Sequence, residues 1–431
     1  MVDIAPFKGV LFNQKKTGPI NQITAPPYDV ISLEQQDELY IKNPYNVVRL
    51  ILEKQYPEDD EKKNRYTRSA STFKSWLEDG ILVKDDKSSF YVYSQEYIYE
   101  GESVCRVGFF ARVRTEEFSS QNICPHEFTL AKAKQDRMNL LRSCRANFSP
   151  VFGLFSDPSG EIDAILNQAI KNEPFAVIEE NGIINKAWRL NDIEKLSYIV
   201  EVFNDKKILI ADGHHRYETA LNYHKENKNE VKDSAHVMMF LTNLEAQSLT
   251  VYPIHRLIKS PKPFDESHFL NKIKNDFFLE PSREGIEKNK IQESLDSSEV
   301  GDIVFYVYFG KGRGCLIKIK EKASFISLLE AGEPEELQVL DVVQLHTVIL
   351  KNILNIDMKK SNSQKYVTYK VDMEEAINLV DSDEFDLAFF MNATPVSEVR
   401  NLAEKGFRLP QKSTFFYPKI LSGLVINKFE S

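Results

Sequence analysis

Apolar and polar positions alternate along the chain in a way that predicts strands and helices in turn. Residues 90–97 and 104–113 are rich in aromatic and β-branched side chains and flank Glu100-Gly101-Glu102, the mark of a hairpin. Residues 175–178 and 183–190 lack clean alternation but flank Asn181-Gly182, a second hairpin signal. Tyr66, Ala70, Phe73 and Leu77 recur at four, three and four, which predicts one apolar helix face within 61–79. Helices are also expected over 130–145 and 193–203, and strands over 237–241 and 249–254. Residues 1–32 read as irregular, because Pro6, Pro19, Pro26 and Pro27 block a long helix. Pro261-Lys262-Pro263 is a stiff polar break. Beyond it come a hairpin (302–309 and 315–319, around Gly310, Gly312 and Gly314), a long apolar helix (339–354) and a buried strand (386–391). This order predicts an α+β, mixed α/β fold. Its expected organisation is an N-terminal region, 1–260, and a C-terminal α/β region, 261–431, which either stands alone or completes the same body.

Composition narrows the class. Of 431 residues, 42% are apolar and 28% charged, enough for a sizeable core in a soluble globular protein. The formal net charge of −9 and a pI near 5.6 argue against a general nucleic-acid surface, which needs a basic footprint. Cys105, Cys124, Cys144 and Cys315 form no Cys-x-x-Cys pair, as expected of isolated thiols in a reducing compartment. No run of apolar residues reaches membrane-spanning length, and residues 1–6 lack the pattern of a signal peptide. A cytoplasmic location without membrane association is the expectation.

The chemistry concentrates at 208–220. The apolar run Ile208-Leu209-Ile210-Ala211 stops at Asp212-Gly213, and a helix-compatible segment, 214–225, follows without a spacer. A helix start has unpaired N–H groups and a dipole that favours negative charge. Gly213 lets a ligand approach the backbone, and Arg216 can fork onto a phosphate, so the junction reads as an anion site. Asp212 as a simple cap, Gly213 as a turn and Arg216 as a surface charge is the plain alternative. The density of special residues favours a site. His214 and His215 are adjacent and point about 100° apart on a helix, so they do not serve one ligand together. His214 and Glu218 have a metal-pair spacing but lack further ligands for zinc; magnesium held by Asp212 or Glu218 with substrate phosphates is the more natural expectation.

Three further groups bear on the site. His126-Glu127 precede a helix on which Lys134 and Arg137 share a face; these two cations could contact phosphate and Glu127 could act as a base, or the group is a solvated helix with an ion pair. Tyr28 and Asp29 follow a rigid diproline, which suits a pocket mouth binding substrate, with Asp29 a second candidate base beside Glu127, or, equally, a turn that leads into the helix capped by Ser32. Lys412-Ser413-Thr414 lacks the glycine-rich run of a P-loop, although Lys412 could still close over a phosphate.

The run Ala211-Asp212-Gly213-His214-His215-Arg216-Tyr217-Glu218-Thr219-Ala220 resembles the signature of the domain of unknown function 1015 family. So do Ala25-Pro26-Pro27-Tyr28-Asp29-Val30-Ile31, Asn43-Pro44-Tyr45-Asn46-Val47, His126-Glu127-Phe128-Thr129, Lys134-Gln135-Asp136-Arg137 and Asn147-Phe148-Ser149-Pro150. Later matches are Pro253-Ile254-His255-Arg256, Leu340-Asp341-Val342 and the stretch 410–419. More distantly, Gly213-His214-His215-Arg216 resembles the Gly-x-x-Arg nucleotide-binding turn of the ParB/sulfiredoxin superfamily, which includes free-serine kinases. That resemblance implies a ParB/sulfiredoxin-like nucleotide-binding core with large additional mixed α/β regions. It implies a kinase using ATP or ADP with Mg²⁺ on the hydroxyl of a small metabolite, free L-serine among the candidates. Gly213 and Arg216 would bind phosphates, Asp212 would hold magnesium or the acceptor, and His214 or His215 would stabilise the transferred phosphoryl. A nucleotide-binding switch without transfer and a phosphohydrolase are the alternatives. Sulfiredoxin chemistry is not expected, because His214 stands where that turn needs a cysteine. The pattern fixes no oligomeric state.

Overall fold

The computed structural model describes the chain except residues 229, 247, 283–286, 298–301, 321–333, 339 and 431. Chain contacts divide it into two units, Met1–Thr250 with Phe416–Ser431, and Val251–Phe415. Both are mixed α/β.

The first unit is organised by a nine-stranded mixed sheet. Its strands are β1 (Ile4–Ala5), β2 (Phe90–Tyr99), β3 (Glu102–Arg114), β4 (Ile123–Cys124), β5 (Val151–Phe155), β6 (Ala176–Glu180), β7 (Ile183–Leu190), β8 (Ile208–Asp212) and β9 (His236–Asn243). They lie in the order β4-β8-β5-β9-β3-β2-β7-β6, with β1 paired to β3. Both expected hairpins are present. Glu100-Gly101 and Asn181-Gly182 each place two consecutive residues at positive φ, the conformation of a type I′ turn, whose twist matches that of the strands. At the site end of the sheet, β8 runs parallel to β4 and antiparallel to β5, and β5 runs parallel to β9.

Helices α1 (Arg65–Glu78), α2 (Ala131–Cys144), α3 (Glu161–Ala169), α4 (Ile193–Phe203) and α5 (His214–Asn227) accompany the sheet. The core joins Phe109, Phe155, Ile199, Phe203, Ile208 and Ile210 with Tyr217 and Ala220 of α5. This apolar side of α5 anchors the helix, so its first turn is held at the end of β8. Helix α1 differs from expectation in its face: Ser69, Phe73 and Trp76 are buried, while Tyr66, Ala70 and Leu77 are only partly so. The aromatic at 76 sets the rotation, packing edge-on against Phe12 and Tyr45. Residues 1–32 are also more ordered than their prolines suggest, with a strand at Val10–Phe12 and a short helix at Gln14–Thr17 capped by Asn13.

The second unit has a six-stranded antiparallel sheet. Strands β10 (His255–Ile258), β11 (Phe277–Pro281), β12 (Val304–Gly310), β13 (Arg313–Ile319), β14 (Val367–Lys370) and β15 (Leu387–Phe390) lie in the order β11-β13-β12-β15-β10-β14. The strand expected over 249–254 is broken at Pro253, which has no N–H for a ladder: Thr250–Tyr252 and His255–Ile258 are separate elements. The long apolar helix is α-helical only over Asp341–Gln344 and continues as a π-helix, Leu345–Ile353; Val339 lies outside the described residues. No helix among the described residues is long and apolar enough to cross a membrane.

Candidate functional site

Strand β8 ends at Asp212, and Gly213 reverses the chain at φ +90° into α5. Only glycine tolerates this conformation cheaply, and the space is also closed to a side chain: a Cβ here would lie 2.9 Å from Arg216 Nε. Arg216 therefore folds back over the turn. Its Nη2 donates to Asp212 Oδ2 at 2.6 Å and its Nη1 to the Pro150 carbonyl. Gly213, the N-cap residue of α5, has no side chain with which to cap it.

Asp212 is held by a second cation. Lys419 Nζ donates to Oδ1 at 2.9 Å, so each carboxylate oxygen faces a different positive side chain. Burial by itself would raise the Asp212 carboxyl, but Lys419 and Arg216 together hold it well below the usual carboxylate range. Lys419 is 207 residues away in sequence and is brought in by the return of the chain into the first unit. A buried polar clamp fixes that return. Arg106, fully buried on β3, donates to the carbonyls of Tyr417 and Pro418 and to Gln95 Oε1; Gln95 Nε2 donates to the Lys419 carbonyl at 3.1 Å. Phe416 is buried against His126 and Phe152.

The segment before α2 docks on α5 through the two histidines. The His126 backbone N–H donates to His214 Nε2 at 3.2 Å, and the Leu130 N–H donates to His215 Nε2 at 2.8 Å. A ring nitrogen that accepts in this way carries no proton, so the Nδ1–H tautomer is assigned to both neutral rings. His126 Nδ1 lies 2.7 Å from the Ile210 carbonyl, and its ring meets His214 edge-on at 4.6 Å. Burial pushes His126 down to about 4, so it is neutral near pH 7. Glu127 is half-buried, its Oε1 3.9 Å from His126 Nε2.

Further along α5, Glu218 Oε2 accepts from Lys134 Nζ at 2.7 Å and from Thr129 Oγ1 at 2.8 Å. Lys134 thus lies on the α2–α5 contact. Arg137, also on α2, stacks on the Tyr28 ring at 3.7 Å and donates to Asp136 and to the Ile51 carbonyl. Burial raises the Tyr28 phenol to about 12, against an opposing effect of Arg137. Asp29 is exposed beside it. Lys412 belongs to the second unit, where its carbonyl accepts from Arg256 Nη2 at 2.9 Å.

The structure therefore draws Asp212, Gly213, His214, His215 and Arg216 together with Glu127, Glu218, Lys134, Arg137 and Tyr28 within the first unit. Lys419 and Arg106 are the residues that sequence reasoning passed over, and His126 was named there without a role of its own. Lys419 lay inside the terminal motif, 410–419, but Lys412 drew attention through its superficial P-loop look. The metal expectation meets a different arrangement: both oxygens of Asp212 are engaged by cations and Glu218 is paired with Lys134. Among the described residues no group of three or more His, Cys, Asp or Glu is arranged to hold a metal ion.

A family model described as a protein of unknown function, DUF1015, matches residues 4–343. The chain belongs to the DUF1015 family. No curated protein matches it at a significant level. Among solved structures, a conserved hypothetical protein from Pyrococcus furiosus is 14% identical, the match covering 73% of this chain and 92% of that one at a TM-score of 0.36. A free serine kinase mutant in complex with AMP is 13% identical, over 72% of this chain and 87% of that one, at 0.37. SbnI with C-terminal truncation, from Staphylococcus aureus, is 9% identical, over 73% and 86%, at 0.35. Likenesses at this level leave the chemistry to be read from the residues themselves.

Proposed function

We propose that this DUF1015 protein is a nucleotide-dependent kinase that phosphorylates the hydroxyl of a small metabolite, with free L-serine the first acceptor to try. The observation that carries the reading is the Asp212-centred arrangement at the start of α5. Two cations, Arg216 and Lys419, are drawn by one carboxylate to the mouth of a helix whose N-cap residue is Gly213. Phosphoryl transfer asks mainly for positioning and charge neutralisation, and this arrangement supplies both.

In this reading Arg216, Lys419 and the backbone of Gly213–His215 hold the nucleotide phosphates, and Asp212 keeps the two cations preorganised. His214 and His215 fix the 126–130 segment, which presents Glu127 to take the proton of the acceptor hydroxyl. The acceptor oxygen attacks the terminal phosphorus, and the bond to the leaving nucleotide oxygen breaks. Mg²⁺ is expected to arrive coordinated by the phosphates, since the described carboxylates of the turn are paired with cations.

The test incubates pure protein with Mg²⁺, ATP or ADP and L-serine, and looks for phosphoserine by mass spectrometry, with Arg216→Ala as control. Product that disappears in the variant supports the kinase. Nucleotide binding without any phosphorylated acceptor, across a panel of hydroxyl compounds, would replace it with a nucleotide-sensing switch.

A further inference from the structure

Four of the sequence motifs meet at one cavity beside the α5 turn. Tyr28, Arg137, Ser149 and Arg216, from separate motifs, line it together with the apolar Leu140 and Phe148, and its volume is about 50 Å³. A buried water needs on the order of 10–15 Å³ in this measure, so the cavity has room for a group the size of a carboxylate and its neighbouring carbon. Its polar walls are rigid. Arg137 is 8% exposed, stacked on Tyr28, and fixed by Asp136 and the Ile51 carbonyl. A guanidinium has five N–H donors; Nε, Nη1 and Nη2 of Arg137 each use one on these partners, so two remain to serve a ligand.

The charge balance selects the ligand. Around the cavity four cations, Arg65, Arg137, Arg216 and Lys419, meet three carboxylates, Asp136, Asp212 and Asp29, so this group carries one positive charge in excess. A monoanion matches it, whereas a dianionic phosphate would be only half compensated. The Tyr28 phenol stays protonated near pH 7 and can add a donor to such a group.

We propose that Tyr28, Arg137 and the adjoining edge of Arg216 form a subsite for a carboxylate on the acceptor, which makes the substrate a small hydroxy acid or hydroxy amino acid. The assignment of this carboxylate to an acceptor rests on the kinase reading; the subsite itself rests on the cavity and the charges around it. Arg137, read from the sequence as a phosphate ligand, thereby becomes a specificity residue.

Calorimetric titration of the full-length protein with matched pairs tests this: glycerate against glycerol, and L-serine against ethanolamine, each with and without ADP. The expected result is binding of the carboxylates at least tenfold tighter than of their partners. Arg137→Gln should remove that preference while ADP affinity changes less than threefold. If Arg137→Gln fails to fold by circular dichroism, Tyr28→Phe, which keeps the stack and removes the hydroxyl, should still weaken glycerate several-fold. Equal binding of each pair, or an unchanged preference in a folded Arg137→Gln, overturns the subsite. Inorganic phosphate competing with glycerate better than acetate does would overturn the carboxylate assignment. Carboxylate selectivity in a protein that binds no ADP would uphold the subsite and sink the kinase reading instead.

Discussion

Replacing Lys419 by Met removes one of the two cations on Asp212 while keeping most of the side-chain volume. At about 4 Å and an effective dielectric near 20, a single charge pair is worth about 4 kcal/mol before desolvation is subtracted. Lys419 is 14% exposed and Asp212 21%, and Arg216 remains to neutralise the carboxylate. The net loss of stability at pH 7 should therefore be about 1–2 kcal/mol, below the 3–5 kcal/mol of a buried charge left alone. The effect on nucleotide should be as large or larger. A charge-assisted hydrogen bond to phosphate contributes roughly 1.5–3 kcal/mol, so ADP affinity should fall about ten- to a hundredfold. Lys419→Arg should retain part of it.

The pH dependence gives a second readout. The Asp212 carboxyl is depressed in the folded protein, so its contribution is fully present above the unfolded value of about 3.9 and is lost as pH falls through the folded value. The depression is smaller in Lys419→Met, so the stability gap between wild type and variant should narrow as pH falls through the variant's folded value toward that of the wild type. Urea unfolding at pH 7 and pH 3, with calorimetric ADP titration at pH 7, measures both. A folded Lys419→Met that binds ADP within twofold of wild type would refute the phosphate role, and a stability gap that widens on acidification would refute the electrostatic account.

Gly213→Ala forces a side chain into positive φ and against Arg216, so thermal melts should show a loss of about 1–3 kcal/mol together with weaker ADP binding. His126 is fully buried with its value pushed down to about 4, below the unfolded 6.5; folding is unpenalised above 6.5 and should lose on the order of 3 kcal/mol as pH falls from 6.5 to 4. His255 and His346 are depressed as well, so in a folded His126→Gln the slope should flatten by this one-proton contribution, as denaturant titrations at pH 7 and pH 5 would reveal. Lys134→Met breaks a partly exposed pair with Glu218, so stability should drop by less than about 1 kcal/mol and ADP affinity by less than threefold; a tenfold loss would return Lys134 to the phosphate site.

What could be read from the sequence was local. The β8–α5 junction was legible because an apolar run, a glycine and a helix-compatible segment follow one another within 13 residues, 208–220. The two hairpin turns were legible because Asn181-Gly182 and Glu100-Gly101 carry their own backbone preference. Lys419 was not, since its partner lies 207 positions away and only the fold joins them. Arg106 looks like any charge within a strand, and nothing local announces that it is buried beneath the carbonyls of residues 417 and 418. The turn from α-helix to π-helix after Gln344 was also hidden, because an apolar stretch does not distinguish the two periods. His214 and His215 were recognised as special for their density, but their hydrogen bonds to the backbone of residues 126 and 130 are tertiary facts.

The most direct test of the central claim is calorimetric titration of ADP with Mg²⁺ into the wild-type protein and Arg216→Lys. Arg216→Lys keeps the charge and loses the fork that reaches Asp212 and the Pro150 carbonyl together. The account predicts one ADP per chain in the wild type and at least tenfold weaker binding in a folded variant. No binding by the wild type, or equal affinity in both, would contradict it.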